Sequence, residues 1–269
     1  MREEVSGYGG PHKVVLNRNA QNLGLAGNNN RAWELSSGEF IVMQAGDDLS
    51  LPARTTELVN AWQCAGNPAH LVCSYHQPID IHGEPCGDVW TQVVWASSVR
   101  EAVAFGGCTA LGCTAGYARE IHAKYGPLDP RILMEDWVYP FRAMLESRVA
   151  VVRQPLVQYR HHSSSLAAAY FSEKRGRPKR LPRLRAHRLA SSKLAVAEDW
   201  KRAWNIRGLS DPVLEAELER LVAFRKLQEK GYSLARVARL SLVWQGMRSG
   251  LSTRQLAGLA REHVLQRCY

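Results

Sequence analysis

GEFIVMQAGDD, residues 38–48, is the stretch on which the fold of this chain turns. Phe40, Ile41, Val42 and Met43 make a short apolar run, which reads as a strand covered on both faces, as in a parallel sheet between helices. The run delivers Asp47 and Asp48 into the loop beyond its carboxyl end, where open α/β sheets bind their ligands. Two adjacent carboxylates supply hard oxygen ligands of the kind that Mg²⁺ or Mn²⁺ uses when it carries a phosphorylated substrate.

Working outward, the chain alternates strands and helices, which argues for an α/β layered sheet. Upstream, residues 14–16 read as a short strand, residues 17–22 as a loop and residues 23–35 as a helix over the sheet. Downstream, Pro52 suits the first turn of a helix running to about Cys64. Residues 70–75, 91–95 and 149–152 read as further strands, with a turn at residues 80–84 forming the tip of a hairpin-like excursion. Small residues at 106–110 lead to a helix near residues 117–125. After a loop at 126–130, a helix is expected over residues 135–146.

The last hundred residues differ in kind. Residues 1–169 hold 13 Lys/Arg and 16 Asp/Glu, a net of −3, whereas residues 170–269 hold 22 and 9, a net of +13. That asymmetry marks a boundary near residue 170. EKRGRPKRLPRLRAHR at residues 173–188 places two prolines and a glycine among its basic residues, so residues 170–189 are expected to be a basic linker. From residue 190 the apolar spacing of Leu214, Leu218, Leu221, Val222 and Phe224 is helical, giving a helical extension over 190–269.

Composition narrows the classes further. An apolar fraction of 45% is ordinary for a globular protein with a real core. No run of about 18 apolar residues exists, so no membrane-crossing helix is expected. Residues 1–13 do not read as a secretory signal, which makes the cytoplasm the default compartment. The six cysteines match no zinc or redox spacing and are expected to be reduced, mostly buried thiols.

Two further segments extend the reading of residues 38–48. Met134-Glu135-Asp136-Trp137 opens the helix expected at residue 135, and Tyr159-Arg160-His161-His162-Ser163-Ser164-Ser165-Leu166 follows the strand at 149–152. With Asn22-x-Gly24 upstream and Gly38-Glu39 before the strand, the ordered set resembles the family 2 glycosyltransferases of the GT-A fold over roughly residues 10–170. The resemblance implies a GT-A-like, Rossmann-like, mostly parallel sheet with helices on both faces. It also implies a strand–helix–strand unit of some fifty or sixty residues ahead of residue 14. That unit has no counterpart here, so residues 1–169 look like such a domain with its head removed.

What the resemblance implies for chemistry is specific. A nucleotide-sugar transferase must neutralise a diphosphate leaving group and deprotonate an acceptor hydroxyl. Asp47 matches the second acid of the family's Asp-x-Asp element and would ligate Mg²⁺ or Mn²⁺, joined by Asp48 and His162. The first acid of that element falls at Ala45, which can ligate nothing. Asp136 matches the catalytic base, with Glu135 positioning the acceptor, and a single base fits inversion at the anomeric carbon. Arg160 would offer a charged fork to the diphosphate. Asn22, Gly24 and Asn30 match residues lining the nucleotide pocket. The implied partners are a UDP- or GDP-sugar donor and a saccharide or other hydroxyl acceptor.

Each group also has a plainer reading. Asp47 and Asp48 can cap the helix near Pro52. Glu135 and Asp136 can load a helix N-terminus, and Asn-x-Gly is ordinary turn chemistry. Two rival functions stand beside the transferase. One is a non-catalytic remnant that keeps the acceptor half alone, favoured by Ala45 and the missing head. The other is a basic protein docking through residues 170–269 on an anionic membrane, at the inner face of the cell membrane, or on assembly partners. Nucleic acid is disfavoured as a partner, because no helix-turn-helix, zinc or aromatic-basic motif accompanies the charge.

Overall fold

The computed structural model describes residues 7–64, 69–106, 110–146, 149–171, 173–174, 177–178, 181–233 and 240–264. Among them the order is α1 (Gly24–Leu35), β1 (Phe40–Val42), β2 (Leu49–Ser50), α2 (Arg54–Gln63), β3 (Leu71–Ile79) and α3 (Val99–Phe105). Then come β4 (Ala115–Ala118), α4 (Glu120–Tyr125), α5 (Tyr139–Glu146), β5 (Val149–Arg160) and α6 (Leu166–Phe171). After two short strands, β6 (Glu173–Lys174) and β7 (Arg177–Pro178), the chain is helical through α7 (Arg183–Arg207), α8 (Pro212–Ser233), α9 (Leu240–Arg248) and α10 (Thr253–Leu259). No helix among the described residues is long and apolar enough to cross a membrane.

The molecule is mixed α/β, with a five-stranded sheet in the order β1-β4-β3-β5-β2. Only β3 and β5 pair in parallel; β1–β4, β3–β4 and β2–β5 are antiparallel. The expectation of a mostly parallel sheet is therefore corrected. β4 enters between β1 and β3 running against both, so β1, β3 and β5 point one way while β4 and β2 point the other. Gly116 is what lets β4 sit there, because a Cβ at that position would lie 2.5 Å from the ring of Phe40 on β1.

Helices cover both faces of the sheet. Alternate strand residues point to opposite sides. On one side Phe40, Val42, Val72, Ala150 and Val152 pack with Leu58 and Trp62 of α2, and the Phe40 and Trp62 rings stack at 5.0 Å. On the other, Ile41, Met43, Leu71, Cys73 and Tyr117 join the main core with Trp33, Tyr139 and Phe141.

That core does not stop near residue 170. Ala195, Trp200, Trp204, Leu214 and Leu218 of α7 and α8 belong to it, and the Phe141 and Trp200 rings stack at 4.6 Å. Arg142 of α5 is buried and donates to both carboxylate oxygens of Asp199, at 2.9 and 2.5 Å, and to the Gly126 carbonyl at 2.7 Å. Helix α7 and the first half of α8 are thus packed into the sheet's own core, while α9 and α10 pack with the end of α8 in a separate cluster. Helix α7 begins at Arg183, inside the stretch expected to be a linker.

Several local expectations are corrected. Residues 14–16 are exposed and form no strand. Residues 91–95 form only an isolated bridge, Val94 to Ala110. The helix expected from residue 117 begins at Glu120, because residues 115–118 are strand β4. Of the described cysteines, Cys73 is buried and Cys113 half-buried, whereas Cys64 and Cys86 are exposed. Cys108 and Cys268 lie outside the described residues.

Candidate active site

Strands β3 and β5 end together at Ile79 and Arg160, and the loop that follows β1 reaches the same place, which brings distant residues together. Arg160, the last residue of β5, donates its backbone N–H to Asp48 Oδ1 at 2.9 Å and its Nε to the Asp47 carbonyl at 2.8 Å. Its Nη1 reaches the carbonyls of Asp80 and Ile81, just past β3, at 2.9 and 3.1 Å. Arg160 therefore joins the acidic loop to the excursion at residues 80–92. His162 places Nε2 2.8 Å from Asp47 Oδ2, and its Nδ1 lies 2.7 Å from Ser164 Oγ.

Asp47 and Asp48 have opposite environments. The Asp47 side chain is 42% exposed and presents its carboxylate to solvent. Asp48 is buried, and its Oδ2 has no hydrogen-bond partner among the described residues. Desolvation raises the Asp48 carboxyl to about 6; the Arg160 N–H opposes that rise, and the Asp47 charge adds to it.

Behind the loop stands Arg54, fully buried in the first turn of α2. Its Nη2 donates to the carbonyls of Met43 and Cys113 at 2.7 and 2.8 Å, and its Nη1 donates to Gln44 Oε1. Gln44 in turn donates to the Asp48 carbonyl at 3.0 Å. Burial lowers the Arg54 pKa from its ordinary value. Arg54 is a brace that the sequence reading missed, since an arginine at a helix start gives no sign that it will be buried.

The second carboxylate pair lies across the turn at Gly112–Thr114. A Cβ at Gly112 would meet Glu135 Oε1 at 2.7 Å and the Asp136 Cβ at 2.9 Å, so glycine is what admits the pair. Glu135–Trp137 form a 3₁₀ turn ahead of α5 rather than the opening of an α-helix. Desolvation raises the Glu135 carboxyl above its usual range. The Cys113 thiol is pushed well up by burial and then by the negative charges of Asp48 and Asp136, so an acid from each pair acts on it. Tyr159, raised to about 12 chiefly by burial, also senses Cys113, Asp48, Asp47 and Asp136.

Helix α7 holds this second pair from outside. Ser192 Oγ accepts from Leu133 N–H at 2.9 Å, a buried bond, and the Trp200 indole donates to the Trp137 carbonyl at 2.7 Å. The segment carrying Glu135 and Asp136 is thereby fastened on each side to a helix some sixty residues further along the chain.

Beside Tyr159 sits an aromatic group that sequence reasoning also missed. His76 is buried and packs edge-on to Tyr159 at 5.4 Å and stacked on Trp90 at 6.1 Å. Burial, and then the nearby His161, lowers the His76 pKa to about 4, so its ring is neutral at pH 7. Its alternation with Ser74 and Pro78 along β3 left no polar cue to distinguish it from a surface residue.

The upstream residues do other work. Asn22 Oδ1 accepts from Gly24 N–H at 2.9 Å, and Gly24 has a φ of +69°, so Asn-x-Gly forms the turn that starts α1. Asn30 spends both side-chain atoms on the backbone of Leu128, accepting at 2.8 Å and donating at 2.9 Å. It locks α1 to the loop at residues 126–130.

A divalent cation can be tested against these donors. No group of three His, Cys, Asp or Glu side chains among the described residues converges to hold one. Mg²⁺ in phosphate chemistry uses one or two carboxylates plus substrate oxygens and water rather than an all-protein cage. Exposed Asp47, with the unsatisfied Oδ2 of Asp48 behind it, fits that use; His162 orients the Asp47 carboxylate. The chain matches no protein-family model, and no curated protein matches it significantly.

Proposed function

We propose that the chain is a GT-A-like glycosyltransferase core, transferring a sugar from a nucleotide-diphosphate donor to a hydroxyl acceptor with inversion. The observation that carries this reading is that the Gly112–Cys113 turn joins the two carboxylate pairs: Gly112 packs against Glu135 and Asp136, and the Cys113 carbonyl accepts from Arg54, which braces the loop of Asp47 and Asp48. Asp47 and Asp48 come from the end of β1, and Glu135 and Asp136 from the turn before α5. A single carboxylate pair has a local explanation; two pairs brought to one place from opposite ends of the domain call for a shared substrate.

In this reading Asp47 and Asp48 hold Mg²⁺ or Mn²⁺, which supplies charge neutralisation for the departing diphosphate. His162 fixes the Asp47 carboxylate, and the Arg160 backbone fixes that of Asp48. Asp136 takes the proton from the acceptor hydroxyl as it attacks the anomeric carbon from the face opposite the diphosphate. Glu135, half-buried beside Gly112, orients the acceptor. Arg160 is engaged with three carbonyls and serves as the brace of the donor side.

A second reading, a remnant that keeps the acceptor side alone, is favoured by Ala45 and by the full engagement of Asn30 with Leu128. Calorimetric titration of UDP and then GDP, with and without Mn²⁺, separates the two. The transferase reading expects metal-dependent binding that Asp47→Ala abolishes. Asp136→Asn should keep that binding while turnover falls about 10²–10⁴-fold. Failure of the wild type to bind either nucleotide would overturn the transferase reading and leave the remnant.

A further inference from the structure

We infer that the far end of the helical region is a docking surface for an anionic membrane, centred on Trp244, Met247 and Arg248 of α9. The inference is independent of the transferase reading, because none of these residues touches the carboxylates.

Helix α9 has two faces of different character. On one, Leu242 is fully buried, and Gly246 faces Leu251, Leu256 and Leu259 so closely that a Cβ would lie 2.8 Å from a Leu256 methyl. Residues 244, 247 and 248 fall on a different side at helical spacing. There Trp244 is 55% and Met247 53% exposed. The Arg248 guanidinium lies 4.7 Å over the Trp244 ring. An amphipathic helix with Trp on its outer face and arginine beside it is suited to the headgroup layer, where an indole finds both apolar and polar surroundings.

Among residues 240–264 the exposed charges are of one sign, while Glu229 at the end of α8 is half-buried. Residues 240–264 contain Arg248, Arg254 and Arg261, all exposed, and a single carboxylate, Glu262. Glu262 is turned inward, accepting from Gln228 Nε2 at 2.6 Å and from the Tyr232 hydroxyl at 2.5 Å. A second apolar point stands at the same end of the bundle. Leu184 is 80% exposed between Arg183 and Arg185. Arg183 Nε donates to the Tyr232 carbonyl at 3.1 Å, which sets the start of α7 beside the end of α8. Lys230 donates to Gln245 at 3.2 Å and ties α9 to that end as well.

Charge selects the occupant. A second copy of this chain would bring one strongly basic end against another, since residues 170–269 carry a net of +13. Nucleic acid would satisfy the arginines but gives Leu184 and Met247 no apolar medium to enter. An anionic bilayer answers both, with phosphates for the arginines and acyl boundary for the side chains.

The test is co-sedimentation of the full chain with phosphatidylglycerol or phosphatidylcholine vesicles, at low and high salt. The expected result is binding to the anionic vesicles only, weakened by salt. The double variant Trp244→Ser/Met247→Ser should weaken it by about tenfold or more, for two exposed apolar side chains kept from the interface. Both positions are on the surface, and an unchanged melting curve would show that the fold is intact. Three results would overturn the proposal: no binding to anionic vesicles, equal binding by the variant, or a wild-type dimer or DNA complex that the variant loses while vesicle binding is absent. No nucleotide enters the assay, so its failure is distinct from failure of the transferase reading.

Discussion

The two carboxylate pairs are held in different ways. Asp47 and Asp48 are fixed by the sheet itself, through Arg160 at the end of β5 and through Arg54 and Gln44 behind the loop. Glu135 and Asp136 sit on a short turn whose flanks are fastened by Ser192 and Trp200 of α7. One half of the candidate site is thus internal to the α/β layers, and the other depends on the basic helical region. Helix α7 is therefore part of the site's scaffold.

The most forceful way to break the contrast is at the Arg142–Asp199 pair, which joins α5 to α7 in the core. Asp199→Ala strands a buried guanidinium and should cost roughly 3–5 kcal/mol in urea unfolding. Arg142→Met/Asp199→Leu should recover most of that loss. If Asp199→Ala melted like the wild type, α7 would not be integral to the fold.

On the sheet-held side the sharper tool is pH. The folded-state pKa of Asp48 is raised to about 6, so its native form holds the proton more tightly than the unfolded chain. Its contribution is fully present at low pH and is lost as pH rises from about 4 to 6. His76, lowered to about 4, has the opposite sign: its contribution is present above the ordinary histidine range and is lost as pH falls through that window. Each is worth up to roughly 2–3 kcal/mol, and in the wild type the two slopes oppose one another. Asp48→Asn should therefore leave a protein that loses stability on acidification from pH 6.5 to 4, and His76→Gln one that gains it. Chemical unfolding across that range reads both. Parallel slopes in the two variants would refute the assignment.

The smallest expected effect returns to the helix-held half. Ser192→Ala orphans the Leu133 N–H and should cost about 1–2 kcal/mol. Amide exchange at residues 133–137 should accelerate while that at residues 47–48 stays unchanged. Equal acceleration in both places would mean the two halves are not separately held.

The sheet-held half was the more legible in sequence. An apolar run ending in two acids announces a strand and its loop by local pattern; the strand expected at 149–152 instead runs on to Arg160, so Tyr159 and Arg160 end it rather than follow it. Strand β4 was not legible. Ala115, Gly116, Tyr117 and Ala118 carry no β-branched residue, and the strand exists because Gly116, opposite Val42, leaves room for the Phe40 ring and two neighbours supply its ladders. Residues 14–16 erred the other way, with β-forming residues that no neighbouring strand pairs. Arg54, His76 and the grip of α7 on residues 133–137 depend on partners far along the chain, and no local window contains them. Charge placed a boundary near residue 170, but charge describes surfaces, and the apolar face of α7 ignores that boundary.

The Trp200 indole on the Trp137 carbonyl also has a consequence in time. Chains are made from the amino end, and segments that depend on later residues must wait for them. All four carboxylates have been polymerised by residue 136, yet the turn that bears the second pair meets its clamp only after α7 has left the ribosome. A nascent chain halted before that point carries every acidic residue of the site in order along its sequence and has nowhere to anchor half of them.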